Sequence, residues 1–300
     1  MHISVLLNES IYYLNLKEDS VIVDCTLGLG GHSSEILKRI KKGFLYAFDQ
    51  DEEIIKKADE RLKIIGNNYK IINKNFVNID VIDEKVDGIL FDLGVSSPQL
   101  DEDYRGFSFH KDAVLDMRMD KRQELDARKV VNEYSYEKLL KIFKEYGEEK
   151  YASSIAKAIV RERDNREINT TLELSEIIKN NVPESYRRKS HPSRKVFQAI
   201  RIEVNDELNV FEKALNKALN MLKLNGRICV ITFHSLEDKI CKKVFNEVSK
   251  LPKELKSLPV IPKDYLPKYK VIANVVPSDE EIKNNRRSRS SRLRVIERVR

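Results

Sequence analysis

An alternation of strands and helices that starts, stops in mid-chain and starts again constrains this sequence more than any other feature. Val21 to Cys25 reads as a short β-branched strand, a glycine cluster follows, and Ser33 to Ile40 has helical spacing. Phe44 to Phe48 reads as a second strand, and Glu52 to Ile65 carries Ile54, Ile55, Ala58, Leu62 and Ile65 on one helical stripe. Lys70 to Ile72 and Gly88 to Phe91 read as further strands. Parallel strands need long crossovers, so this order predicts a doubly wound α/β sheet with helices on both faces. From about Ala127 to Asn209 the pattern is only helical. Alternation resumes with a helix over Val210 to Lys223 and a strong strand at Gly226 to Phe233, and late strands are expected at Tyr269 to Val276 and Leu293 to Val299. The expected organisation is a discontinuous α/β domain, residues 1–120 and 210–300, with an inserted all-helical domain at 121–209.

The chemistry concentrates at the ends of the expected strands. Asp24-Cys-Thr-Leu-Gly28-Leu-Gly30-Gly31-His32-Ser33 follows the first strand and opens a helix. Glycines there let the backbone turn tightly and approach a ligand that a Cβ would exclude. Ser33 stands where a dinucleotide fingerprint starting at Gly28 wants its third glycine, which disfavours an NAD dehydrogenase. The string fits the spacing of S-adenosylmethionine (SAM) sites, although a structural turn would look much the same. Asp49 ends the second strand, 21 residues past Gly28. An acid there accepts hydrogen bonds from both ribose hydroxyls of an adenosine, or Asp49 to Asp51 is the N-cap of the next helix. Asp92-Leu-Gly-Val-Ser-Ser-Pro98-Gln99 follows the fourth strand, where open α/β sheets bind ligands. Ser96 to Gln99 is an imperfect version of the loop with which amino methyltransferases hold a target NH₂, and a plain turn would tolerate the same residues.

Charge adds a partner class. The chain has 55 Lys+Arg against 48 Asp+Glu, a net +7, and the excess is concentrated. Pro183 to Arg201 holds Arg187, Arg188, Lys189, Arg194, Lys195 and Arg201 against Glu184 alone, and Lys283 to Arg300 is similarly basic against Glu297. Such runs on an otherwise acidic chain suit a polyanion, or are solvated surface and a frayed tail. No apolar run nears the roughly 18 residues of a membrane span, and Glu9 with no early Lys or Arg argues against a targeting peptide, so a cytoplasmic protein is expected. Cys25, Cys229 and Cys241 fit neither a disulfide framework nor a zinc site, and the five histidines show no ligand spacing.

A wider pattern joins these motifs. His2 to Glu9, Asp24 to Ser33, Asp92 to Gln99, Arg105-Gly-Phe-Ser-Phe109, Leu115-Asp-Met-Arg-Met-Asp120, Phe197 to Ile202, Phe233-His-Ser-Leu-Glu-Asp238 and Arg289 to Arg294 occur in order. Together they resemble the bacterial small-subunit ribosomal RNA cytosine-N4 methyltransferase family (RsmH/MraW) nearly end to end. The resemblance implies a Rossmann-like SAM-dependent methyltransferase fold with an inserted helical substrate domain. It implies SAM contacts from Gly30, Gly31, His32, Asp49, Phe76, Asp92 and Gln99, with Phe76 near the adenine. At the reaction crevice it points to Asp92, with Ser96 as a candidate for holding N4. The implied partners are 16S ribosomal RNA or the small subunit, with no membrane, and a homodimer is a further candidate. A DNA or small-molecule amino methyltransferase and a non-catalytic ribosome-assembly protein are the competing readings. The basic runs argue against a small substrate, and the intact Asp24, Gly30, Asp49 and Asp92 argue against a relic.

Overall fold

A computed structural model describes residues 4–95, 103–188, 191–252 and 261–300. The chain divides into two compact units, Met1–Gly94 with Leu208–Arg300, and Val95–Glu207.

The first unit is built on a seven-stranded sheet, β1 (Val21–Asp24), β2 (Phe44–Asp49), β3 (Tyr69–Asn73), β4 (Val86–Asp92), β5 (Leu222–Thr232), β6 (Tyr269–Val275) and β7 (Arg292–Arg298), in the order β3-β2-β1-β4-β5-β7-β6. The first five run parallel, and β7 lies antiparallel between β5 and β6. This is the doubly wound sheet that the alternation predicts, with the Rossmann-like order that the family resemblance implies. Its inner strands read as continuous apolar runs because both faces are covered. Ile89, Phe91, Ile228 and Val230 point to the core beneath the helices Glu207–Met221 and Ser235–Ser249, which supply Phe211, Leu215, Val244 and Phe245. Leu90, Cys229 and Ile231 point to the opposite core, covered by Leu14 of the helix Leu7–Leu14 and by Ile36 and Leu37 of the helix Gly31–Leu37. The strand order reverses between β1 and β4, so the crevice lies beyond Asp24 and Asp92. At its start β5 runs further back than expected. Its register on β4 jumps from Val86↔Leu222 to Gly88↔Arg227, and Asn225 in the skipped segment has φ +64°.

The second unit is helical, with Ala127–Glu133, Tyr136–Glu145, Ala152–Asn165, Thr171–Asn180 and Ser193–Asn205 around a core that includes Leu139, Phe143, Ile155, Ile159 and Ile200. It starts at Val95 where the sequence places the boundary at 121, and ends at Glu207 where the sequence places it at 209. The earlier start has a physical cause: Phe107, Leu115 and Met117 bury into this core. The polar run shows no period because it is folded by side chains. Arg118 donates to both oxygens of Asp116, at 2.9 Å each, and Asn205 bonds Met117 O and Met119 N–H. Gly106, at φ +71°, sits where a Cβ would come 2.3 Å from Val114 O. The Arg105-Gly and Asp-Met-Arg-Met-Asp motifs are therefore scaffolding of this unit.

Candidate active site

β1 ends in Asp24, which is fully buried and fixes the turn that follows. Its carboxylate accepts the Thr26 N–H at 3.0 Å and the Ser33 hydroxyl at 2.6 Å. Ser33, out of place for a dinucleotide fingerprint, thus clamps helix to strand. Gly28 and Gly30 have φ +50° and +73°, where L side chains are strained. A Cβ on Gly28 would meet nothing nearer than Thr26 O at 4.0 Å, so this glycine borders open space. A Cβ on Gly30 would instead lie 3.6 Å from Ala58 and Leu62 of the helix Glu52–Lys63. Gly30 is needed for its left-handed backbone, and the expectation that it clears room for a ligand passes to Gly28. Gly31 opens the helix beneath Ser4, whose Oγ a Cβ would strike at 1.9 Å.

Asp49 stands at the end of β2 and braces the turn from its far side. One oxygen accepts the Gly28 N–H at 3.0 Å and the other the Asp51 N–H at 2.9 Å. The expected helix cap within Asp49 to Asp51 is Asp51, which accepts from Glu53 N–H and Ile54 N–H, while Asp49 faces the glycine turn. Burial pushes its carboxyl up to about 7, against the Asp51, Gly28 and Gln50 N–H donors that pull it down. Phe76 opens a short 3₁₀ turn after β3, with Asn75 capping it at Val77 N–H (2.9 Å). Its ring is half-buried and meets Phe91 edge-on at 5.7 Å, so one side is core and the rest is open to a ligand.

Asp92 ends β4 beside this turn. Its N–H donates to Thr26 Oγ1 at 2.7 Å, tying β4 to β1, and its Oδ2 lies 3.5 Å from Nδ1 of the buried His32. Its Oδ1 has no hydrogen-bond partner among the described residues. Burial, and then the charges of Asp24 and Glu237, push its carboxyl well above the usual range. Asp24 is also raised, burial outweighing its donors. Asp24, Asp49 and Asp92 line one strand-end region, and none makes an ion pair with Lys or Arg among the described residues. Carboxylates buried (Asp24) or half-buried (Asp49, Asp92) with no Lys or Arg beside them suit a cationic ligand bearing hydroxyls, which a sulfonium nucleoside is. Ser96 and Gln99 lie outside the described residues.

Spacing and periodicity give no sign of the groups that follow β5. Glu237 is buried and folds back to accept Phe233 N–H at 2.7 Å, with His234 Nε2 3.1 Å from its other oxygen. Only the order Phe-His-Ser-Leu-Glu hints at it. Cys25, Cys229 and Cys241 are all buried, and burial raises each thiol, so none is an accessible thiolate. The basic tail is not frayed. Arg294 pairs with Asp238 at 2.6 Å, Arg227 with Glu297 at 2.7 Å, and Arg298 donates to Leu222 O. Arg286 and Arg289 are the tail's exposed cations on the turn before β7, together with Arg287 and Lys283. No helix among the described residues is long and apolar enough to cross a membrane.

The MraW methylase family matches residues 1–299. Ribosomal RNA small subunit methyltransferase H of Exiguobacterium sibiricum is 50% identical over 306 residues, covering 99% of this chain and 98% of that protein. Among solved structures, an rRNA methylase from Streptococcus thermophilus aligns with a TM-score of 0.47 at 13% identity, over 100% of this chain and 99% of its own. A Streptococcus mutans structure in complex with SAH aligns with a TM-score of 0.47 at 14% identity, over 99% of both chains.

Proposed function

This chain belongs to the MraW methylase family, and from that premise we propose that it transfers a methyl group from SAM to the exocyclic N4 of a cytosine in the decoding region of 16S ribosomal RNA. The observation that carries the reading is Asp92, a strand-end carboxylate with one oxygen unpartnered among the described residues. The Gly28–Gly31 turn, Asp49 and Phe76 form the cofactor side, with His32 behind Asp92 and Gln99 contributing from the loop. SAM supplies an electrophilic methyl on a sulfonium.

Cytosine N4 is a poor nucleophile, because its lone pair is delocalised into the ring. Asp92 accepts an N4 hydrogen, favouring a more pyramidal nitrogen, and Ser96 helps to hold the amine. Orientation within about 3–3.5 Å of the methyl does most of the rest. As the N–C bond forms and the C–S bond breaks, N4 becomes cationic and releases a proton, for which Asp92 is the nearest acceptor in this reading. No thiolate is required. Carbon-5 methylation would need one to add to the ring, and all three cysteines are buried. The base must be single-stranded or flipped out, and basic residues of the helical unit and the pre-β7 turn bind flanking phosphates. The protein works in the cytoplasm, and its assembly as a homodimer is checked by sedimentation velocity, where a monomer would remove that part.

Mass mapping of small-subunit RNA treated with the protein and SAM tests the reading. The expected product is N4-methylcytosine, made also by a folded variant with all three cysteines replaced by alanine or serine. A 5-methylcytosine product, or loss of transfer in a folded, SAM-binding triple variant, would overturn the mechanism and leave the cofactor assignment standing.

A further inference from the structure

The helical unit carries a ring cluster at its surface, in which the half-buried Phe109 packs on the core and the exposed His110 and His191 lie over it. Phe109 stacks on His191 at 4.4 Å between centroids and 24° between planes, and touches His110 at 4.4 Å, tilted by 48°. His110 and His191 meet edge-on at 5.3 Å, and both are exposed. Only Phe109 is anchored inward, edge-on against the buried Phe197 at 5.5 Å. The His191 ring is held in place, since its Nδ1 accepts the Ser193 N–H at the start of the helix Ser193–Asn205. An exposed ring stacked through one face on Phe109 turns its other face to water.

The surroundings indicate what fits there. Lys111 adjoins His110, Arg194 lies one helical turn past His191 and donates its N–H to the His191 carbonyl, and Lys179 is close enough to act on the His191 ring. Burial, with His110 and Lys179 nearby, holds His191 below the usual histidine range, so at neutral pH it is a neutral, flat ring. Rigid π faces rimmed by cations are what a single-stranded nucleic acid uses, its bases stacking while phosphates meet the charges.

We propose that Phe109, His110 and His191 form a base-stacking subsite for an unpaired nucleotide flanking the methylated cytosine. The proposal rests on the RNA-methyltransferase reading above and adds to it a place where a neighbouring base is held. Stacking on an aromatic ring is tolerant of base identity, so the subsite grips single strands and does not select sequence.

The test uses the full chain and a set of 12-nucleotide single-stranded RNAs, each with 2-aminopurine at a different position, titrated at several salt concentrations. The parent should quench 2-aminopurine most strongly at one offset from the target cytosine. His110→Ala with His191→Asn, the latter chosen to retain an acceptor for Ser193, should weaken RNA binding by about 5-fold or more and remove that quenching. SAM affinity and the slope of log affinity against log salt should not change, because the same phosphates remain neutralised. His110→Tyr with His191→Tyr should restore both affinity and quenching, which a purely ionic or structural role would not allow. Parent-like affinity and quenching in the Ala/Asn variant would overturn the subsite while leaving the methyltransferase reading intact, provided the parent still methylates small-subunit RNA. A shallower salt slope would make the histidines phosphate ligands and overturn stacking. Unchanged binding to the RNAs with weakened binding to whole small subunits would assign the face to a ribosomal protein, which also overturns it. No RNA binding or methylation by the parent would fail both readings.

Discussion

The strand ends of the α/β unit and the end of the helical unit hold an acid in opposite ways. At Glu207 of the helical unit a half-buried carboxylate has a full cationic partner: Arg201 makes two bonds to it, at 2.8 and 2.9 Å. At the strand ends of the α/β unit, Asp24, Asp49 and Asp92 have only N–H, hydroxyl or imidazole neighbours, and their carboxyls are pushed up. The first arrangement holds a shape. The second leaves these carboxyls without a cationic partner among the described residues, at a cost in stability.

The sharpest way to break this comparison is to neutralise one acid in the α/β unit and to strand one in the helical unit. Asp92→Asn should lower methyl transfer by about 10²-fold or more, the range expected when a proton acceptor is removed. Its stability should be unchanged or higher at pH 8. The sign follows from the raised carboxyl: burial disfavours its charge, so it lowers stability at every pH above its unfolded value of about 3.9, and an amide removes that penalty. Urea unfolding that shows Asp92→Asn to be markedly less stable would mean the carboxylate is structural. Arg201→Met should do the reverse, costing about 3 kcal/mol in the same experiment, because it strands the Glu207 carboxylate, which is 12% exposed. A loss below about 1 kcal/mol would show that the helical unit is not held by such pairs.

Smaller effects sharpen the picture on the cofactor side. Asp49→Ala should weaken SAM binding by roughly 1–3 kcal/mol, the loss for a charged hydrogen-bond partner, and unchanged affinity by calorimetry would remove Asp49 from the site. With its carboxyl near 7, Asp49 accepts ribose hydroxyls best when ionised. SAM affinity should therefore fall about tenfold from pH 8 to pH 6, and Asp49→Asn should flatten that dependence. An equally steep profile in Asp49→Asn would place the titrating group elsewhere. The smallest change is expected from replacing Arg187, Arg188 and Lys189 by glutamine. Arg188 already pairs with Glu184 on the surface and Lys189 lies outside the described residues. RNA affinity should weaken, and its salt slope should lessen by about 0.7 for each single-strand phosphate no longer neutralised. A parent-like slope would make the run solvated surface.

What is legible in the sequence follows the same division. The strands of the α/β unit announce themselves because burial on two faces demands unbroken apolar runs, and strand ends with acids mark a crevice in such a sheet. Thr171–Asn180 follows the helical pattern expected between Ala127 and Asn209, and Thr170 with Glu173 form a capping box at its start. The stretch 103–121 is not legible, since its order comes from Arg118, Asp116 and Asn205 holding backbone through side chains, which leaves no period to read. The helix Leu7–Leu14 escapes for a similar reason: no side chain caps it, and Leu6 before it takes a left-handed conformation with its N–H on Glu281. At the site, the glycines and Asp49 are readable from spacing. The direction of Gly30, the role of Ser33 and the buried Glu237 need coordinates.

The order of strands in the sheet also sets a timetable for synthesis. β4 has β5 as its outer neighbour, yet the ribosome makes the entire helical unit between them, and β6 emerges before β7, the strand that must come between it and β5. At roughly 5–20 residues per second, the half-sheet β3-β2-β1-β4 waits on the order of ten seconds with the Ile89-Leu90-Phe91 edge unpaired. Such an edge is a template for any other strand in the cell. An enzyme that modifies ribosomes thus exposes a pairing edge for as long as it takes one to make its helical unit.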